Sequence, residues 1–364
     1  MQAWSIPDDL ATPTLIIDLS IVESNAKRMA QGLAAKNIRL RPHVKTHKSI
    51  ELARLQRALG ADGVTVATIG EAEVFAEAGF DDIFIALPLW CTTKVASQLA
   101  RLSTLAKLRI GVDSRVSAQT LSLATARLAN VEVMIEVDSG QHRSGVQPDR
   151  AGVLAADCQL TGLSVAGVFA HGGHSYAGAN AVIQAANDEI VALRTAYESF
   201  LDHGIQPKTI SAGSSPTALH LSGPVTEARP GTYLFNDRQQ VALGAAEPDQ
   251  VAAVVIARVI STTVAGQFVI DAGSKALTGE ASGLVPGFGV IPSLGGAVVT
   301  KVSEHHGIVK FDGDPPPVGA LVQVIPNHIC TVANLYDRYQ TLDGAGLAEP
   351  IKIDARGHLT TSLD

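Results

Sequence analysis

GVTVATIGEAEVFAEAGFDDIFIAL (63–87) is the stretch that decides the fold. It opens on an apolar, β-branched run (63–68), passes through a helix-like segment (69–79) and closes on a second apolar run, DIFIAL (82–87). Neither run alternates apolar with polar. A strand reads this way when helices cover both faces of a parallel sheet.

Working outward, the same unit recurs. Strands are expected at LIIDL (15–19), IRLRPHV (38–44), LRIGVD (108–113), VEVMIEV (131–137), VAGVFA (165–170), TISA (209–212) and EARP (227–230). Helices are expected at SIVESNAKRMAQGLAAK (20–36) and AVIQAANDEIVALRTAYESFLDHG (181–204). About eight strand–helix repeats predict an α/β chain built on a (β/α)8 TIM-type barrel, with an open doubly wound sheet as the second possibility. Near residue 245 the character changes: VVIARVIS, GQFVIDAG, GAVVTKV, GIVKF and GALVQVIP are strand-like, separated by turns such as PGFG (286–289) and DGDPPPVG (312–319). This is a mostly-β domain. The expected division is a barrel over 10–242 and a β-rich domain over 1–9 plus 243–364.

Composition narrows the function. Of 364 residues 46% are hydrophobic and 17% charged, which supports a large core and excludes disorder. The net charge of −7 comes without any basic block, so neither nucleic acid nor an anionic membrane has electrostatic support as a partner. MQAWSIPDDL has no signal-peptide pattern, and the longest apolar runs, such as VAAVVIA (251–257), are too short to span a bilayer. Three scattered cysteines, Cys91, Cys158 and Cys330, do not form a disulfide framework and fit a cytoplasmic protein.

Three segments carry chemistry. RPHVKTHKS (41–49) puts Lys45 at the end of the second strand, where barrel enzymes keep their reactive groups. Arg41, His43, His47 and Lys48 surround it in sequence; crowded cations depress a lysine's pKa, and attack on a carbonyl needs the neutral amine. The bland alternative is a basic surface loop. AGSSPTAL (212–219) has the small, hydroxyl-bearing residues of a phosphate turn, a weak signal by itself. PNHICTVANLYD (326–337) contains His328 and Cys330 at i, i+2; on an extended strand these point the same way, and imidazole with thiolate suits zinc, with manganese, cobalt or nickel also possible. A buried cysteine beside a histidine is otherwise ordinary packing.

With these segments in this order, and TPTLIIDL (12–19) at the front, nearly the whole chain resembles the fold-type III pyridoxal-phosphate enzymes with an alanine-racemase-like fold. Within these it is most similar to the D-serine dehydratase / D-threonine aldolase family, which includes D-threo-3-hydroxyaspartate dehydratase. The resemblance implies that Lys45 carries pyridoxal 5'-phosphate. It implies that Arg143, in IEVDSGQHRSGV (135–146), faces the pyridine nitrogen; an arginine donates there and cannot accept, which weakens the ring as an electron sink. Gly213, Ser214 and Thr217 would hold the phosphate, with Gly231 and Tyr233 of RPGTY (229–233) closing the cup. His328 and Cys330 would hold a divalent metal, zinc or manganese, that compensates for the weakened ring. The substrate would be a small D-amino acid, and the protein a homodimer.

Two reactions fit: loss of the β-hydroxyl to give a keto acid and ammonia, or Cα–Cβ cleavage to glycine and an aldehyde. FAHGGHSYAG (169–178) resembles the dehydratases' pattern through His171, Gly173, Ser175 and Tyr176; the aldolases place a histidine near Tyr176, and His174 here is out of register. The aldolases also carry aspartate where Cys330 stands. The expectation is therefore a dehydratase, with Lys45, Tyr176 and His171 catalytic and D-threonine aldolase as the alternative. An amino-acid racemase lacks its second-domain tyrosine motif here, and a non-catalytic pyridoxal-phosphate-binding protein would be the barrel alone. Two departures concern the substrate: His305 stands where the family has glutamate, and NDRQQ (236–240) differs from the dehydratases and aldolases.

Overall fold

A computed structural model describes residues 6–344 and 346–360. It divides into two compact units. The first nine strands in chain order are β1 (Thr14–Asp18), β2 (Arg39–Leu40), β3 (Val64–Val66), β4 (Asp82–Pro88), β5 (Lys107–Val112), β6 (Val131–Glu136), β7 (Ser164–Phe169), β8 (Thr209–Ala212) and β9 (Glu227–Ala228). All but β1 form one eight-stranded sheet in the order β2-β9-β8-β7-β6-β5-β4-β3, and every pairing in it is parallel. Parallel bridges Leu40↔Ala61 and His43↔Thr65 join its two edges, so the sheet closes.

The apolar runs form these strands because both faces are covered: Ile83, Phe84 and Ile85 are all 0% exposed. Phe84 and Phe169 meet edge to face at 5.1 Å between centroids and pack with Met134 and Ala166 inside the barrel. Hydroxyl caps start the helices between strands. Ser49, Thr68 and Thr92 each accept a backbone N–H from three residues on, and Ser114 forms a capping box with Ser117.

The later strands are β10 (Ala253–Ser261), β11 (Gln267–Ile270), β12 (Gly289–Ile291), β13 (Ala297–Val302), β14 (Gly307–Lys310), β15 (Leu321–Pro326), β16 (Arg338–Leu342) and β17 (Leu347–Lys352). With β1 they form a nine-stranded sheet, in which β10, β11, β14, β13, β12 and β15 close on themselves through antiparallel pairs. A closed ring leaves no exposed sheet edge. β1 lies outside the ring, antiparallel to β10 and parallel to β16.

The placement of β1 corrects the sequence reading. LIIDL belongs to the β unit, not the barrel, because β1 finds its partners in β10 and β16. The β unit takes the chain up to Lys27, Ala177–Ala179 and Thr232–Arg356; the barrel unit takes Arg28–Tyr176, Asn180–Gly231 and the described residues from Gly357 on. The expected boundaries, 10 and 242, therefore shift to about 28 and 232. Of the expected segment 1–9, residues 1–5 lie outside the described residues. Among the described residues no helix is long and apolar enough to cross a membrane.

Candidate active site

The reactive segments of the barrel unit leave the C-terminal ends of neighbouring strands. Lys45 follows β2, Arg229 follows β9, Gly213–Thr217 follow β8, His171 follows β7 and Arg143 follows β6. This is the end of a barrel where side chains from separate strands converge on one ligand. Lys45 sits in a 3-10 turn (Val44–Thr46), exposed between buried Val44 and Thr46. Burial, then the Lys45 cation, then Arg229 hold the His43 imidazole well below its usual pKa. Burial, Lys45, Arg143 and Arg229 do the same to His171. Both rings are therefore neutral at pH 7, and the charges of Lys45 and Arg229 act on both of them.

The basic crowd around Lys45 is smaller than its sequence suggests. Arg41 is fully buried, donating to Glu227 at 2.8 Å and Asp82 at 2.7 Å. Burial opposes the charge on Glu227, but Arg41 and Arg109 hold its carboxyl below the usual range. His47 is buried between Gln56 and the Ser49 N–H, and burial holds its pKa at about 4. Lys48 pairs with Glu71 at 3.4 Å. The cation the sequence reading missed is Arg229. It is 5% exposed, donates to Ser211 Oγ and the Ala170 carbonyl, and lies 5.2 Å from the Phe169 ring centre. Arg143 stays at the rim, its side chain 53% exposed and 3.9 Å from Glu136.

The phosphate turn is organised by a second missed residue. Glu189, fully buried, accepts the N–H groups of Gly172 and Gly213 on one oxygen, both at 2.9 Å, and the Thr217 hydroxyl on the other at 2.8 Å. Thr217 Oγ1 in turn accepts the Ser214 N–H at 2.9 Å. The N–H groups of Gly213 and Ser214 thus donate within the turn. Gly213 has φ +84°, and a Cβ there would come within 2.9 Å of Leu221. The signal for Glu189 lay in its helix: it falls on the apolar face that buries Ala185, Ala186, Leu193 and Ala196.

Several features fit a cofactor in this mouth. The buried Nδ1 of His43 has no hydrogen-bond partner among the described residues. A Cβ on Gly231 would stand 2.8 Å from Thr46 Oγ1 and 2.9 Å from the His43 carbonyl, so only glycine leaves that space open. Ser175 Oγ reaches Ser214 Oγ at 3.3 Å, tying the 173–177 turn that holds half-buried Tyr176 to the phosphate turn. His174 is held by Asp188 at 3.0 Å. Tyr233 is buried in the Thr232–Leu234 turn, which belongs to the β unit.

The candidate metal pair, His328 and Cys330, lies in the β unit, where the structure revises the expected local geometry. β15 ends at Pro326; His328 caps a short helix, Ile329–Ala333, and Cys330 lies inside it. The two side chains still meet, because the helix turn replaces strand alternation in bringing them together: His328 hydrogen-bonds Cys330. Glu280 sits 3.1 Å from His328 Nδ1. Burial opposes a proton on His328, but Cys330, Asp237 and Glu280 hold its pKa up at about 10. A cluster so favourable to a cation fits a divalent ion in place of the proton. Asp237, buried and pushed up to about 6, accepts the N–H groups of Ile329 at 3.0 Å and Gln240 at 2.9 Å and so pins both helix starts. Glu304 pairs instead with Lys275 at 2.7 Å, and His305 is exposed.

Residues 17–239 match the family profile "Alanine racemase, N-terminal domain", and residues 252–342 match "Putative serine dehydratase domain". The chain belongs to this family. Its relatives include the D-threo-3-hydroxyaspartate dehydratase of Delftia sp. (strain HT23), 34% identical over 93% of this chain and 95% of the relative. They also include the D-threonine aldolase of an Arthrobacter species, 32% identical over 95% of this chain and 93% of the relative. The solved structure of the Delftia dehydratase superposes with a TM-score of 0.88, covering 95% of this chain and 98% of that one at 33% identity. A solved variant of that enzyme is described as its metal-free form. The family's alanine-racemase-like fold, a parallel eight-stranded barrel followed by a closed antiparallel β domain, is the one described above.

Proposed function

We propose that this chain is a pyridoxal-phosphate- and metal-dependent lyase that removes the β-hydroxyl of a D-3-hydroxy-amino acid, giving a keto acid and ammonia. The observation carrying the choice of reaction is the pair of His328 and Cys330, bonded to each other at one helix start.

When bound, pyridoxal phosphate supplies an electron sink for bond breaking at Cα, and the divalent ion supplies a Lewis acid for the β-hydroxyl. Lys45 Nζ attaches the cofactor and is the base for the α-proton. His43 and His171, kept neutral, line the mouth without adding charge, and His43 Nδ1 offers a hydrogen bond to the cofactor. Arg143 reaches in from the rim and Arg229 supplies a second guanidinium from within, either of which donates to a ring nitrogen and cannot accept from it. The 213–217 turn, braced by Glu189, holds the phosphate with Gly231, and Tyr233 is a further cofactor-binding residue. Tyr176 orients the bound substrate. His328 and Cys330 hold zinc or manganese, leaving open positions for the hydroxyl. The functional form is a homodimer, and three free cysteines suit the cytoplasm.

The test is a product assay with D-serine, D-threonine and D-threo-3-hydroxyaspartate, with and without a chelator. Chelator-sensitive keto acid and ammonia are expected. Chelator-sensitive glycine and aldehyde would transfer the chain to the aldolase reading.

A further inference from the structure

NDRQQ (236–240) is the segment that the family pattern leaves unexplained, and the structure stitches it to the metal pair. Asp237 accepts the Ile329 N–H, and the Gln239 N–H donates to the Asn327 carbonyl at 3.2 Å. The next contact belongs to Arg238, whose Nη1 donates to Asn327 Oδ1 at 3.1 Å and to the Pro286 carbonyl. Asn327 is itself held by the Gly287 carbonyl at 2.6 Å, and it directly precedes His328.

Both oxygens that Arg238 touches are neutral. Among the described residues no carboxylate pairs with it, although it is half-buried and keeps its charge. Its Nη1 is committed to the protein, while among the described residues Nε and Nη2 have no hydrogen-bond partner. Those two nitrogens form the edge of a guanidinium that takes a carboxylate in two parallel hydrogen bonds. The acids of the cluster are engaged elsewhere: Glu280 with His328, and Asp237 with the Ile329 and Gln240 N–H groups. A fixed, uncompensated cation with its bidentate edge open, one residue's reach from a hydroxyl-binding metal pair, is matched by a ligand carrying a hydroxyl and a carboxylate on the same carbon.

We propose that Arg238 is a specificity-determining residue that binds a second carboxylate on the substrate's Cβ, so that the chain takes dicarboxylic D-3-hydroxy-amino acids of the 3-hydroxyaspartate class in preference to D-serine. This rests on the metal-dependent reading above. Arg238 fixes the substrate's far end while His328 and Cys330 hold the ion that meets the hydroxyl. D-Serine, with hydrogen in place of that carboxylate, leaves the guanidinium edge unpaired.

The test compares holoenzyme and Arg238→Met by the ratio of kcat/KM for D-threo-3-hydroxyaspartate to that for D-serine. The ratio is expected to fall about 10- to 100-fold, the worth of a charge-assisted bidentate pair. Arg238→Lys should restore only part of it, because ammonium lacks the fork. An equal fall for both substrates would reduce Arg238 to a structural tie between Pro286 and Asn327 and overturn the proposal, as would an unchanged ratio. If the unmodified enzyme turns over neither substrate, the proposed reaction fails, and calorimetry on zinc-loaded protein decides the Arg238 claim separately. D-Malate should then bind more tightly than 3-hydroxypropanoate, which lacks the carboxylate on the hydroxyl-bearing carbon, and Arg238→Met should erase that difference; equal binding of the two acids to the unmodified protein would overturn the claim.

Discussion

Replacing Glu189 separates two roles that one buried carboxylate combines. Its side chain accepts two backbone N–H groups and a threonine hydroxyl with no exposure to water. Glu189→Ala strands both N–H groups, at about 1–3 kcal/mol each, and opens a cavity in the helix packing. The expected loss is about 3–6 kcal/mol. Glu189→Gln keeps the carbonyl oxygen that takes both N–H groups; its amide then faces Thr217, whose hydroxyl can turn its proton to Ser214, 3.1 Å away. The expected cost of that variant is about 1 kcal/mol. Because burial raises the Glu189 carboxyl above its unfolded value, wild type gains most from it below the usual carboxylate range and loses that gain as pH rises through the raised value. The Gln variant has no such titration, so its stability relative to wild type should improve as pH rises from about 4 to 7. Urea unfolding across that range measures both effects, and titration with pyridoxal phosphate reports whether the 213–217 turn still holds its shape. Equal losses for Ala and Gln would refute the hydrogen-bond argument, as would an Ala variant within about 0.5 kcal/mol of wild type.

Other perturbations test separate parts of the account. Arg41→Met leaves Glu227 buried without its main partner and should destabilise the barrel by about 3–5 kcal/mol in urea unfolding; a surface-like loss would show that the ion pair is not buried in solution. Glu280→Gln removes the carboxylate that orients His328 and should weaken metal binding about 10- to 100-fold in chelator competition, whatever the effect on turnover. Asp237→Ala releases two helix starts at once, so metal affinity and thermal stability should fall together; stability alone falling would separate the cap from the metal site.

The sequence carried the order of the site well, because each reactive segment follows an apolar strand and a parallel barrel brings consecutive strand ends side by side. Local pattern does not reveal which sheet a strand joins. LIIDL has the same apolar character as the barrel strands, yet pairs with β10 and β16. Charge counted along the chain also misled: Arg41, His47 and Lys48 flank Lys45 in sequence, but their side chains are satisfied elsewhere in the fold. Arg229 and Glu189 were readable as letters but not as roles, since a buried polar residue is identified only by the partners it meets in the fold. The spacing of His328 and Cys330 was read as an extended strand, but local pattern did not reveal that the chain turns into a helix there.

The most direct measurement is borohydride reduction of the protein loaded with pyridoxal phosphate, followed by peptide mass spectrometry. The account predicts a phosphopyridoxyl group on Lys45 and loss of the bound cofactor's visible absorbance in Lys45→Ala. Modification at Lys48 instead, or an unchanged spectrum in the variant, would contradict the assignment on which the site is built.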